Sequence, residues 1–91
     1  MTKMMAGKLD RVAVFGRPGT REESLTVRER ACLILSGKGQ SEKEIAQSLE
    51  ISPNTVRVHI ENVKRKLGAE NKSHAIVLSL LRGLTKLTDF D

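Results

Sequence analysis

The chain has 91 residues, enough for one small domain but too few for two independent cores, which take about 100 residues or more apiece. Sixteen Lys and Arg against eleven Asp and Glu give a net charge of +5, and the aromatic residues are two Phe. A basic, aromatic-poor domain suits a polyanion held through charge and hydrogen bonds. It is poorly equipped for single-stranded nucleic acid, whose bases need aromatic platforms.

Residues 1–24 carry five basic and three acidic residues, three Gly and one Pro, with no sustained helical period. They read as a flexible arm or linker remnant, with Val12 to Phe15 the one stretch apolar enough for a short strand. The GRPGT segment lacks the GxxxxGK[ST] spacing of a phosphate loop and reads as a plain turn.

From Leu25 onward the punctuation is regular, and residues 25–91 form the folded domain. Thr26 and Glu29 make a T-x-x-E capping box, which predicts a first helix from Val27 to Ser36 that stops at Gly37. Ser41 and Glu44 repeat the device and open a second, from Glu42 to Leu49. Ser52 followed by Pro53 is an N-cap with proline at the first helical position. The third helix then runs to Leu67, because Gly68 suits the left-handed residue that follows a helix. Asn71 or Lys72 begins a fourth, closing before or around Gly83. The fold class is therefore all-α, a four-helix bundle.

The second and third helices are joined by only Glu50, Ile51 and Ser52, the geometry of a DNA-binding helix-turn-helix rather than of a long antiparallel hairpin. Ile51 is placed to tuck beneath both helices. On the third helix Val56, Ile60, Val63 and Leu67 fall within roughly 60° of one another and form the core stripe. The opposite side carries Asn54, Arg57, Val58, Glu61, Lys64 and Arg65.

Arg57 can fork onto guanine O6 and N7, Glu61 can accept from cytosine N4, and Val58 can pack on a thymine methyl. Thr55, His59, Asn62 and Lys66 lie along a flank, where a helix in the major groove runs beside phosphates. A charged helix face is most often only a solvated one. Val58 is what favours base reading, since a solvated face has no need of a β-branched apolar residue at its centre.

On the fourth helix Ile76, Val77, Leu78, Leu80, Leu81 and Leu84 cover about 200° of the circumference, twice the arc a surface helix needs. Val77, Leu80, Leu81 and Leu84 suffice to dock it. The surplus, Leu78 beside Ala75 and Ser79 with Arg82 at the rim, is then a second contact surface, either for a second copy of the chain or for the amino-terminal arm. Self-association is the favoured alternative, because paired modules read half-sites.

Cys32 is the lone cysteine, which excludes an intramolecular disulfide, and with His59 and His74 on separate helices no metal-ligand cluster can be assembled. No cofactor and no catalytic residue is expected, since Cys32 sits among Ala31, Leu33 and Ile34 as a buried thiol and no nucleophile lies at helical spacing to either histidine. No apolar run reaches the roughly 18 residues of a membrane span, and Met1 to Asp10 lacks the hydrophobic centre of a signal peptide. The expected setting is cytoplasmic and nucleoid-associated, with no membrane partner.

The segments LTVRE (25–29), G-x-x-x-x-EIA (39–46), ISPNTVRVH (51–59) and KLGAENKSHA (66–75) resemble the LuxR/GerE-type helix-turn-helix, also the output domain of NarL- and FixJ-like response regulators. The resemblance covers about residues 25–84 without a gap. It implies a four-helix, dimerising bacterial transcription regulator whose third helix enters the major groove of duplex DNA, with RNA polymerase as a further partner. By position, Arg57, Val58 and Glu61 match the family's base-facing sites, and with Asn54 from the same helix side they are the base-reading candidates. Thr55, His59 and Lys66 match positions that commonly contact or buttress the phosphate backbone, and Lys43, Lys64, Arg65 and Lys72 complete the phosphate candidates, while Glu29 and Glu44 match structural acids of the family. ENKSHAIVLSLLRGL most resembles the quorum-sensing branch.

Three positions depart from the pattern. Glu42 stands where Asn is frequent, weakening a phosphate contact by the second helix, with Lys43 beside it as compensation. Glu61 is acidic at a site often basic or neutral, so the preferred bases should differ from those of most relatives. Lys72 replaces a frequent Arg, exchanging a fork for a point charge. Residues 1–24 are too few for a receiver or ligand-sensing domain, so the chain is expected to be a stand-alone, GerE-like regulator or the carboxy-terminal piece of a larger one. Two other functions compete. One is an interaction module that pairs with and disables full-length regulators, which an intact Arg57, Lys64, Arg65 and Lys66 disfavour. The other is a sigma region 4-like domain, which VRVH and the apolar fourth helix disfavour.

Overall fold

A computed structural model of the chain describes residues 24–91. The expected arm over 1–24, with its short strand at Val12 to Phe15 and its GRPGT turn, lies outside the described residues except for Ser24. The described chain is all-helical: α1 (Val27–Gly37), α2 (Glu42–Leu49), α3 (Pro53–Leu67), α4 (Lys72–Leu81) and a closing 3-10 turn (Leu87–Phe90).

Side-chain caps set the four starts. Thr26 Oγ1 accepts from the Glu29 N–H at 3.1 Å while the Thr26 N–H donates to Glu29 Oε1 at 3.0 Å. Ser41 and Glu44 repeat the exchange at 3.2 and 2.9 Å. Ser52 Oγ accepts from the Thr55 N–H at 3.0 Å, and Asn71 Oδ1 from the His74 N–H at 2.8 Å. Each cap satisfies donors that the first helical turn leaves without partners.

The ends are more varied. Gly68 closes α3 with φ +70, the left-handed conformation expected of it. Gly37 is instead the last residue of α1, and its lack of a side chain serves a close approach: a Cβ there would lie 2.5 Å from Phe90 Cδ1. Glu50 closes α2 in the left-handed region, φ +60 and ψ +45, without being a glycine. Arg28 Nη1 donates to the Leu49 carbonyl at 2.9 Å, satisfying an acceptor at the same helix end.

Two clusters fill the interior, and α3 contributes to both. Val56 and Ile60 join Cys32, Ile45 and Ala46, with Leu35, Leu49 and Ile51 packed around them. Val63 and Leu67 join Leu33, Ala75 and Leu78, with Leu25, Ala69, Ile76 and Leu84 around them. The four residues of the α3 stripe are all at most 5% exposed. One face of α3 is thus held along its length, by α1 and α2 near its start and by α1 and α4 near its end. Burial pushes the Cys32 thiol above its ordinary pKa, as expected for an unreactive core cysteine.

The docking of α4 corrects the face expected from sequence. Ala75, Leu78 and Ser79 are fully or almost fully buried, whereas Val77 and Leu81 are 51% and 56% exposed. Of the outward interface expected from Ala75, Leu78, Ser79 and Arg82, the first three are therefore in the core and only Arg82 reaches the surface. Small Ala75 and Ser79 let α4 lie close to its neighbours. The Ser79 hydroxyl meets its buried hydrogen-bonding needs with the Ile76 carbonyl and Thr85 Oγ1, both at 2.7 Å. Arg82 is half-buried and donates to the Leu67 carbonyl at 3.0 Å, tying α4 to the end of α3.

The 3-10 turn had no counterpart in the sequence reading. Arg30 holds it, donating to the Leu84 carbonyl at 3.1 Å and to Asp89 Oδ2 at 2.8 Å.

Candidate nucleic-acid interface

With Val56, Ile60, Val63 and Leu67 committed to the core, the opposite side of α3 is open. Asn54, Arg57, Val58, Glu61 and Arg65 are all exposed, and Val58 retains 48% of its surface. A β-branched apolar side chain is thus held in solvent between a guanidinium and a carboxylate one turn of helix away. The four base-reading candidates lie on one open face, at the spacing the sequence implies.

That face is internally paired. Arg57 Nη2 donates to Glu42 Oε1 on α2 at 3.0 Å and Nη1 to Asn54 Oδ1 at 3.4 Å. Lys64 Nζ lies 2.9 Å from Glu61 Oε2, an i,i+3 pair. Both pairs are solvent-accessible, so each contributes at most about 1 kcal/mol and can be exchanged for another partner. Glu42, noted in sequence only for a weakened phosphate contact, is a direct partner of the reading arginine. Its 15-residue separation from Arg57 gave no helical signal by which to find it.

The phosphate candidates divide. Lys43, Arg65 and Lys72 are exposed, and Lys64 is half-buried with its ammonium on Glu61. The Thr55 hydroxyl is engaged with Ser52 Oγ at 2.8 Å in the N-cap of α3. His59 is half-buried, and its Nδ1 is buried without a hydrogen-bond partner.

Lys66 is already paired in the DNA-free chain. Its ammonium donates to Glu29 Oε1 at 2.8 Å and to the Ser24 carbonyl at 3.3 Å, and its side chain is only 16% exposed against 5% for Glu29. This pairing competes with the phosphate role expected of it, because a nearly buried carboxylate requires the counter-charge. Burial pushes the Glu29 carboxyl up. The Lys66 ammonium and the Thr26 N–H more than offset that, and its pKa lies below the ordinary value. Glu29 is thus a structural acid, as the capping pattern and the resemblance both implied, with a partner 37 residues away that neither named.

Among the described residues no group of three His, Cys, Asp or Glu could hold a metal ion, and no helix is long and apolar enough to cross a membrane.

Comparison with known proteins agrees with this architecture. The family described as GerE, bacterial regulatory proteins of the luxR family, matches residues 23–79. The transcriptional activator protein SolR of Ralstonia solanacearum is 47% identical over 60 residues, covering 66% of this chain and 25% of that protein. The transcriptional activator protein VanR of Vibrio anguillarum is 32% identical over 80 residues, 88% of this chain and 33% of that protein. The transcriptional regulatory protein LiaR of Bacillus subtilis is 39% identical over 74 residues, 80% of this chain and 35% of that protein. The chain therefore spans about a quarter to a third of the length of these relatives. No solved structure gives a significant match. These matches place the described domain among regulatory proteins and not among enzymes. Matched over more than half of its length, the chain belongs to the luxR family of bacterial regulatory proteins.

Proposed function

We propose that the chain regulates transcription by binding duplex DNA in a sequence-specific manner, with α3 lying in the major groove. The observation that carries this reading is the open face of α3. Asn54, Arg57, Val58 and Glu61 offer a fork of donors, a hydrogen-bonding amide, an apolar contact and an acceptor on one face, on a helix whose other face is fixed by two core clusters. Lys43 on α2 and Lys72 on α4, with Thr55, His59, Lys64 and Arg65 on α3 itself, supply phosphate contacts that set register and carry most of the affinity. The names of SolR and VanR as transcriptional activators are consistent with that role.

The domain works as a pair on a two-fold site, and the surface for a second copy is the exposed side of α4 with Val77 and Leu81. This takes the place of the opposite face, which is in the core.

A selection from randomised duplexes with the full chain tests the reading. Arg57→Ala should relax the preference at one base pair per half-site, with a loss of about 1–3 kcal/mol there. An unchanged base preference would remove Arg57 from the reading face.

A further inference from the structure

Arg57 is held in the free protein. Its guanidinium lies between Glu42 Oε1, on the first residue of α2, and Asn54 Oδ1, in the first turn of α3, at 3.0 and 3.4 Å. The two acceptors come from the two helices of the helix-turn-helix, whose mutual position is fixed by Ile45, Ala46, Val56 and Ile60 in one cluster. We propose that Glu42 is a positioning and specificity-determining residue, which aims Arg57 at a base edge and keeps it off phosphate. The proposal rests on the base-reading function above.

A guanidinium binds a phosphate at least as readily as it binds guanine, and a phosphate contact carries no sequence information. An arginine with free rotamers on a groove-facing helix can therefore strengthen binding to every duplex. The bonds to Glu42 and Asn54 take two of the five N–H donors of a guanidinium and leave three, enough for the O6 and N7 acceptors of guanine. Arg57 can thus read guanine while still attached to Glu42. The fixed carboxylate also opposes phosphate at the same place. Transfer of Arg57 to the backbone leaves Glu42 unpaired beside negative charge, whereas guanine, a neutral acceptor, imposes no such penalty. Glu42 thereby penalises non-specific complexes more than specific ones.

The test is a double-mutant cycle on the full chain, measuring affinity for the selected duplex and for a random duplex of equal length at about 0.1 M salt. Glu42→Gln keeps size and an acceptor but removes the charge. It should raise affinity for the random duplex and lower the specific-to-random ratio about three-fold, the scale of an accessible ion pair. In an Arg57→Ala background the same substitution should leave the ratio unchanged.

A ratio unaffected by Glu42→Gln in the chain that retains Arg57 overturns the proposal. So does an equal fall in both backgrounds, which marks an effect of Glu42 on specificity that does not pass through Arg57. Arg57→Ala distinguishes the two levels. If it relaxes the base preference while Glu42→Gln has no effect, only the positioning role fails. If it leaves the preference intact, the base-reading function fails and takes this inference with it.

Discussion

Replacing Lys66 by Met probes the pairing that joins α3 to α1. The substitution keeps most of the aliphatic stem and removes the ammonium that lies 2.8 Å from Glu29 Oε1. At that distance and an effective dielectric of about 20, the attraction is about 6 kcal/mol before desolvation is subtracted. A protein that loses it does not forfeit that amount, because the stranded carboxylate can take up a proton. Protonation at pH 7, starting from the ordinary value of 4.5, costs about 1.4 kcal/mol per pH unit and about 3.5 kcal/mol in all, which bounds the charge contribution.

The Thr26 N–H still donates to the same oxygen, so the expected loss is about 2–3 kcal/mol. For a domain of this size that is a fall of about 10–20 °C in Tm. Urea and thermal denaturation followed by far-UV circular dichroism at pH 7 and pH 4.5 measure it. The deficit should shrink at the lower pH, where the stranded carboxyl protonates with little cost. A deficit below about 0.5 kcal/mol, or one independent of pH, refutes the reasoning. The salt dependence of DNA binding supplies a second check. A Lys66 engaged with Glu29 leaves the log–log slope unchanged, whereas a phosphate contact would reduce its magnitude by about 0.9.

Other outcomes follow from the same structure. Glu29 has its pKa depressed in the folded state, so its contribution to stability is full above about pH 4.5 and is lost as pH falls through the folded value. Acid titration of stability should show this component, and Glu29→Gln should remove it. Leu78→Ala should cost about 2–5 kcal/mol in urea denaturation, since Leu78 is 3% exposed. Leu81→Ser should leave stability within about 1 kcal/mol and shift sedimentation toward the monomer; an unchanged profile removes this side of α4 from the interface. Glu50→Gly should stabilise by about 0.5–1 kcal/mol through relief of the left-handed backbone, and a loss of stability in the same denaturation would show that the Glu50 side chain outweighs the strain.

The helices were legible because their caps are local. Thr26, Ser41, Ser52 and Asn71 each act on residues three positions away, well inside the reach of a sequence pattern. The α3 stripe was legible because its four apolar residues lie on one narrow arc and its other side is polar. The orientation of α4 was not, because a helix apolar over about 200° can be docked by either half. The choice fell to residue size, with Ala75 and Ser79 permitting a closer approach than Val77 and Leu81.

The pairs Glu29–Lys66 and Arg57–Glu42 span 37 and 15 residues, and no periodicity connects their members. The Leu87–Phe90 turn is of the same kind. It is held by Arg30, 59 residues before Asp89, and four residues carry no period of their own.

One ammonium gathers three stretches of chain. Lys66, near the end of α3, bonds both to the Ser24 carbonyl in the approach to α1 and to Glu29 in the first turn of that helix. A load at Ser24 is shared between the backbone, through Leu25 packed on the Val63 and Leu67 cluster, and the Lys66 side chain, which carries part of it straight to the end of α3. Because the 2.8 Å bond to Glu29 is nearly buried and the 3.3 Å bond to Ser24 is the longer of the two, such a load gives way first at Ser24. The junction acts as a mechanical fuse: the Ser24 contact can open while Lys66 and Glu29 stay paired and α3 keeps its seat.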